Sequence, residues 1–212
     1  MFVWKLKKPM GVTPLMTYKI NEYFYSIQGE GLYTGIPMVF VRFAQCNMNC
    51  AFCDTVHVPY WEKTEEQIVE EIKKYNCSAV CFTGGEPLLQ LKNDVEKGSY
   101  VDLMGMLLNE GIKDFYLETN GSIELPEYAT QFFNITVSPK KKDFKIRKGE
   151  VLKIVYGVFQ DSDLENIKNT TEFEHYFIQP MYNYNEKEAL AFVLNHPEWR
   201  YSCQCHKYLN IK

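Results

Sequence analysis

Apolar residues fall along this chain in short, β-rich runs separated by stretches with helical spacing. Met38–Phe43 (MVFVRF), Ala79–Phe82 (AVCF), DFYLE at 114–118, ITV at 135–137, VLKIVYG at 151–157 and HYFIQP at 175–180 predict strands, with Met38–Phe43 as the first. Thr64-Glu65-Glu66-Gln67 has the spacing of a capping box and opens a helix on which Ile68, Ile72 and Tyr75 share a face. Residues 100–108 repeat apolar positions at helical spacing, with Gly111 as C-terminal cap. SDLENIKN (162–169) and EKEALAFVLNH (186–196) predict two more helices, and 90–100 reads as a surface loop.

Strands alternating with helices indicate an α/β fold with a largely parallel sheet. Polar, Gly-rich or Cys-rich tetrads follow one strand after another at its C-terminal end, which is the active-site face of an α/β barrel. The chain offers about six strand–helix units, too few for an eightfold barrel of ~250 residues. The expected architecture is therefore a partial, open TIM-like barrel of the (βα)6 type with a reduced helical layer. No internal repeat, low-complexity tract or linker divides the 212 residues, so one domain is expected.

Composition narrows the function classes. Lys plus Arg total 23 against 27 Asp plus Glu, a net charge of −4, which argues against a nucleic-acid-coating surface. With 46% hydrophobic and 24% charged residues the chain has a globular balance. No apolar run approaches the ~18–20 residues of a membrane helix, and the N-terminus lacks a signal peptide's apolar stretch. The expectation is a cytoplasmic protein.

Seven cysteines suit no closed disulfide framework. Cys46, Cys50 and Cys53 lie in a polar loop straight after a strand, where three thiolates can converge on one inorganic centre. A structural zinc site would need a fourth ligand, for which His57 is a candidate. A [4Fe–4S] cluster on three cysteines leaves one iron open. The spacing alone leaves both readings standing. Cys77, Cys81, Cys203 and Cys205 read as free thiols behaving as small hydrophobes. Thr83-Gly84-Gly85-Glu86-Pro87, at the next strand end, is a close-approach loop, since two glycines admit a ligand to the backbone.

Cys-x3-Cys-x2-Cys followed by Gly-Gly-Glu-Pro at a strand end resembles the radical S-adenosylmethionine superfamily. Further tetrads narrow the resemblance: Ser26-Ile27-Gln28-Gly29-Glu30-Gly31, Arg42, Asp54-Thr55, Glu118-Thr119-Asn120-Gly121, Ser138-Pro139-Lys140, Gln179-Pro180-Met181, Trp199-Arg200-Tyr201-Ser202 and His206-Lys207. In this order they closely resemble the 7-carboxy-7-deazaguanine synthase family, from about Ile20 to Lys212. Residues 1–16 are expected to be an N-terminal extension and 17–212 the catalytic domain.

The resemblance implies a lyase that contracts the ring of 6-carboxy-5,6,7,8-tetrahydropterin to 7-carboxy-7-deazaguanine with loss of ammonia, toward queuosine and other deazapurines. It implies one [4Fe–4S] cluster on Cys46, Cys50 and Cys53, S-adenosylmethionine, and Mg²⁺ at Thr55. Phe52, Cys53, Asp54, Gly85, Glu86, Ser138, Pro139, Lys140 and Gln179 would adjoin S-adenosylmethionine. Ile27, Gln28, Gly29, Glu30, Arg42, Thr83, Glu118, Asn120, His206 and Lys212 would meet the pterin, with Arg42 on its carboxylate. A flavodoxin- or ferredoxin-type electron donor and a homodimer are further implications; neither nucleic acid nor membrane is. Two rivals share parts of the pattern: an activase of a glycyl-radical enzyme, and a non-enzymatic zinc-stabilised binding module.

Overall fold

The computed structural model describes residues 16–53, 55–91, 93–94, 98–125 and 130–212. The extension expected over 1–16 lies outside them except for Met16, which packs against the main core. Each predicted strand and helix is present. The strands are β1 (Thr17–Ile27), β2 (Pro37–Phe43), β3 (Trp61–Thr64), β4 (Ala79–Gly84), β5 (Asn93–Asp94), β6 (Gly98–Ser99), β7 (Asp114–Thr119), β8 (Phe133–Val137), β9 (Lys148–Val155), β10 (Glu172–Gln179) and β11 (Arg200–Tyr201). The helices are α1 (Glu65–Lys73), α2 (Tyr100–Asn109), α3 (Asp161–Thr170), α4 (Glu186–Asn195) and α5 (Cys205–Leu209).

Among the described residues nine strands form one sheet in the order β11-β10-β9-β8-β7-β4-β2-β1-β3. From β2 to β11 all pairings are parallel. Strands β1 and β3 extend the open edge in antiparallel fashion. Six full parallel strands with few helices match the expected open barrel. Helix α1 starts at the expected capping box: the Gln67 amide donates to Thr64 Oγ1 at 3.4 Å, and the Thr64 amide to Gln67 Oε1 at 3.0 Å. The 90–100 stretch, expected as a loop, carries the short antiparallel pair β5–β6.

The sequence reading placed the first strand at Met38, yet an eleven-residue strand precedes it. Its aromatic and β-branched content is strand-like, but the register slips between Ile20 and Glu22. Tyr18 and Ile20 face the main core before the slip and Tyr23 faces it afterwards, while Phe24 turns to the inner cluster. A bulge of this kind breaks the two-residue period that identifies a half-buried strand.

The strands sort their side chains by that same period. On β2, Val39, Val41 and Phe43 join the core under the helices, whereas Met38 and Phe40 join the inner cluster with Ala79, Cys81 and Tyr116. Continuing the inner row toward each strand's C-terminal end gives Arg42 on β2, Thr83 on β4, Glu118 on β7, Thr136 on β8, Lys153 on β9 and Gln179 on β10. The inner apolar cluster closes one end of the barrel, and the polar ends surround its mouth.

Candidate active site

All six of these strand-end residues line one cavity of about 520 Å³. The loop carrying Cys46, Cys50 and Cys53 forms part of its wall, as do Gln28, Asn120, Lys140 and His206. The seven cysteines are free thiols. The Cys53 amide donates to the Cys50 carbonyl at 3.1 Å, which curls the loop so that all three thiols line the cavity. Among the described residues no three His, Cys, Asp or Glu side chains yet converge as a metal-holding group. The donor set nevertheless fits an Fe–S cluster, since three soft sulfur donors from one loop line a common space.

The Gly-Gly loop was expected to admit a ligand. Both glycines line the cavity, and a Cβ on either would meet the chain just before Cys46. A Cβ at Gly85 would overlap the Gln45 carbonyl, and one at Gly84 the Phe43 backbone; Gly84 also has φ +122°. The Gly85 amide donates to Phe43 O at 3.0 Å and the Glu86 amide to Gln45 O at 2.9 Å. The glycines thus fasten the cysteine loop to the end of β4. Glu86 is fully buried and does not line the cavity. Its carboxylate accepts from Thr119 Oγ1 (2.8 Å), the Asn120 amide (2.7 Å) and the Leu88 amide (3.1 Å). Burial pushes its pKa up, against the pull of those donors. Asn120 carries the linkage back to the cysteine loop, donating to Asn47 Oδ1 at 3.0 Å.

Glu118 organises a second wall, accepting from Thr83 Oγ1 at 2.6 Å and Gln28 Nε2 at 3.1 Å. Glu30 pairs with Lys153 and accepts from Gln204 Nε2 at 2.8 Å. Lys153 Nζ also lies 3.9 Å from Glu118. Burial opposes ionisation of Glu30, but the attraction of Lys153 and the bonds from Lys153 and Gln204 outweigh it and hold the carboxyl well below its usual range. Burial likewise works against the Lys153 ammonium, and Glu30 and Glu118 reverse the balance and raise its pKa. Lys140, which donates to Ser138 Oγ at 2.6 Å, is lowered to about 8 by burial and by the charge of Lys153.

Arg42 was expected to await a substrate carboxylate. Its Nε donates to Glu22 Oε1 at 2.9 Å, and Nη1 reaches Thr55 Oγ1 at 3.5 Å. Lys212 Nζ holds the other Glu22 oxygen at 2.6 Å, and its main-chain oxygen accepts from Ser26 Oγ at 2.6 Å. Ile27, Gly29, Phe52, Thr55, Gly85, Ser138 and Lys212 line the cavity as well. Pro139 is buried and does not. Asp54 lies outside the described residues.

Sequence reasoning missed Lys153 and Gln204 and gave Lys207 no role, and all three line the cavity. Lys153 carried a signal: a lysine inside the apolar run VLKIV, at the inner-row position that Arg42 holds on β2. His206 is seated directly on Gly29, where a Cβ would overlap its ring, and the Cys205 amide donates to Gly29 O at 2.9 Å. The 204–207 segment is therefore bound to the Gln28–Glu30 loop.

Comparison with known proteins agrees with this arrangement. The model of the Radical SAM superfamily matches residues 40–138. A 7-carboxy-7-deazaguanine synthase from Bacteroides thetaiotaomicron is 38% identical over 198 residues, covering 93% of this chain and 100% of that protein. The enzyme of the same name from Burkholderia multivorans is 34% identical over 224 residues, covering 92% and 100%. The crystal structure of QueE from Escherichia coli shares the fold, with a TM-score of 0.66 at 23% identity over 92% of this chain and 96% of that one. Relatives this similar over nearly their whole length identify the chain as a member of the 7-carboxy-7-deazaguanine synthase family, within the radical S-adenosylmethionine superfamily.

Proposed function

We propose that this chain converts 6-carboxy-5,6,7,8-tetrahydropterin to 7-carboxy-7-deazaguanine with loss of ammonia, in the cavity at the strand ends. The observation that carries the reading is that the three-cysteine loop and the Gln28–Glu30–Glu118 wall open onto the same cavity. A glycyl-radical activase would use the thiols but not that polar wall. A zinc module would use neither the wall nor the Gly-Gly fastening.

When bound, the cluster and S-adenosylmethionine supply one-electron reductive cleavage to a 5′-deoxyadenosyl radical; the protein supplies placement and electrostatics. Cys46, Cys50 and Cys53 hold the cluster. Phe52, Gly85, Ser138, Lys140 and Gln179 form the S-adenosylmethionine side, with buried Pro139 behind it and Glu86 acting through the loops it ties together. Gln28, Glu30, Thr83, Glu118 and Asn120 present donors and acceptors to the amide and amino edges of the pterin, with Ile27, Gly29, His206 and Lys212 around it. Lys153 keeps Glu30 an acceptor. The proposal includes a homodimer in the cytoplasm, reduced by a flavodoxin- or ferredoxin-type donor. No described helix is long and apolar enough to cross a membrane.

Anaerobic incubation of the reconstituted protein with both ligands and a one-electron reductant, followed by mass analysis, should show the pterin-derived product one ammonia lighter. Cleavage of S-adenosylmethionine with the pterin recovered intact would overturn the substrate assignment.

Thr55 presents a hard oxygen of the kind Mg²⁺ accepts alongside substrate oxygens and water. Turnover should therefore rise with added Mg²⁺, while cleavage of S-adenosylmethionine without pterin responds far less. Thr55→Ala should flatten the Mg²⁺ response, and an unchanged response would move the metal elsewhere.

Arg42 must share its guanidinium between Glu22 and the substrate carboxylate. Arg42→Ala should weaken binding of the carboxylated pterin about tenfold or more, and affect a pterin lacking the carboxylate less. Equal losses in binding titrations would show that Arg42 supports only the Glu22 network.

A further inference from the structure

The side chains of Cys203 and Cys205 have no part in the site described above. Both are half-buried free thiols, and neither lines the cavity. The residue between them does. Gln204 is 8% exposed, donates from Nε2 to Glu30 and accepts the Tyr182 amide on Oε1 at 3.2 Å. Its backbone, at φ −95° and ψ 70°, is close to an inverse γ-turn. Such a turn draws its first and third residues together, from the ~7 Å that two extended residues span toward the ~4.4–6.8 Å Cα separation of a disulfide. Burial raises the pKa of the Cys203 thiol, and the neighbouring Cys205 thiol across this turn adds to the rise.

We propose that Cys203 and Cys205 form a reversible dithiol–disulfide site that controls the hold of Gln204 on the cavity wall at Glu30. The oxidant is a low-molecular-weight disulfide such as oxidised glutathione. One protein thiolate attacks it, forming a mixed disulfide and releasing one thiol. The second protein thiolate attacks the protein-bound sulfur, closing the ring and releasing the second thiol. Two electrons pass from the cysteines to the small disulfide, and the two thiol protons leave with the released thiols. Ring closure fixes the two sulfurs about 2.05 Å apart. It tightens the turn whose apex carries Gln204. The turn is anchored on both sides, by Ser202 Oγ accepting the Gly31 amide at 2.8 Å and by the Cys205 amide on Gly29. The contraction is therefore passed to the Gly29–Gly31 segment.

The test uses the reconstituted holoenzyme, held anaerobically in mixtures of oxidised and reduced glutathione, with iron content measured throughout. After alkylation, cleavage at Arg200 and Lys207 yields the peptide YSCQCHK. Under oxidising mixtures it should become unalkylated and about 2 Da lighter than the dithiol, and it should return to the doubly alkylated form on reduction. In the oxidised form, hydrogen exchange of the Glu30 and Gly31 amides should accelerate about tenfold or more. Cys203→Ser and Cys205→Ser should each abolish both responses at unchanged iron content. Double alkylation at every glutathione ratio, or a glutathione adduct that never closes, would overturn the site. Ring closure without any change in Glu30 and Gly31 exchange would overturn its control of the wall. Neither readout depends on the identity of the substrate, so a failure here is distinct from a failure of the pterin assignment.

Discussion

Replacing any one of Cys46, Cys50 or Cys53 by Ala should reduce cluster iron and sulfide by more than about tenfold after anaerobic reconstitution, and reductive cleavage of S-adenosylmethionine with it. A cluster that already leaves one iron open has no protein ligand to spare. The other cysteines are badly placed to substitute. Cys81 is buried in the inner cluster, Cys77 donates to Pro37 O at 3.5 Å, and Cys203 and Cys205 flank Gln204 outside the cavity lining. Cys205→Ala should accordingly keep the iron content of the parent. Iron retained in Cys50→Ala, or lost in Cys205→Ala, would contradict the assignment of the ligands.

The fold was legible where one period ran unbroken. The buried parallel strand β4 reads as a continuous apolar run ending in polar residues, and α1 announced itself through Thr64 and Gln67. Strand β1 escaped because the bulge after Ile20 changes the face of every later residue. Strand β11 and helix α5 escaped because they are too short to show a period and are fixed by long-range bonds, such as Ser202 N to Ile178 O at 2.9 Å.

The site was legible wherever a motif marked it, and less so where a single polar residue sat in an apolar strand. Arg42 and Lys153 are equivalent in this respect: each is the charged member of an inner row that is otherwise apolar, at the cavity end of its strand. Arg42 was found through the family resemblance, whose quoted pattern includes it. Lys153 has no motif beside it, and only the alternation on β9, with Leu152 and Ile154 turned to the main core, shows that it faces inward. Glu86 is the opposite case. The motif named it, and its buried carboxylate, with three accepted bonds, braces the Gly-Gly loop against the Asn120 loop.

Lys153→Met should lower the unfolding midpoint of the reconstituted protein by about 6–20 °C at neutral pH. Removing one partner of a buried ion pair costs about 3–5 kcal/mol, because the other charge is left without compensation, and about 2–4 °C follow each kcal/mol in a chain of this size. The side chains of Lys153 and Glu30 are only 6% and 17% exposed, so water screens the loss little. The pH dependence identifies the partner. In the parent, Glu30 has a lowered folded pKa, so its contribution is present above the ordinary carboxylate value of roughly 4.3 and is lost as pH falls through the lower folded value. Lys153 has a raised one, so its contribution holds below roughly 10.4 and is lost as pH rises through the folded value. Without Lys153, the burial that opposes Glu30 ionisation is no longer outweighed, and the carboxyl takes up its proton at a higher pH. The deficit of Lys153→Met should therefore be largest near neutrality and shrink as the solution is acidified and Glu30 becomes neutral. Glu30→Gln added to Lys153→Met should recover most of the midpoint at pH 7, since it removes the stranded charge while keeping the shape. A deficit independent of pH, with no recovery in the double variant, would mean that Lys153 stabilises the barrel by packing alone and does not set the charge of Glu30.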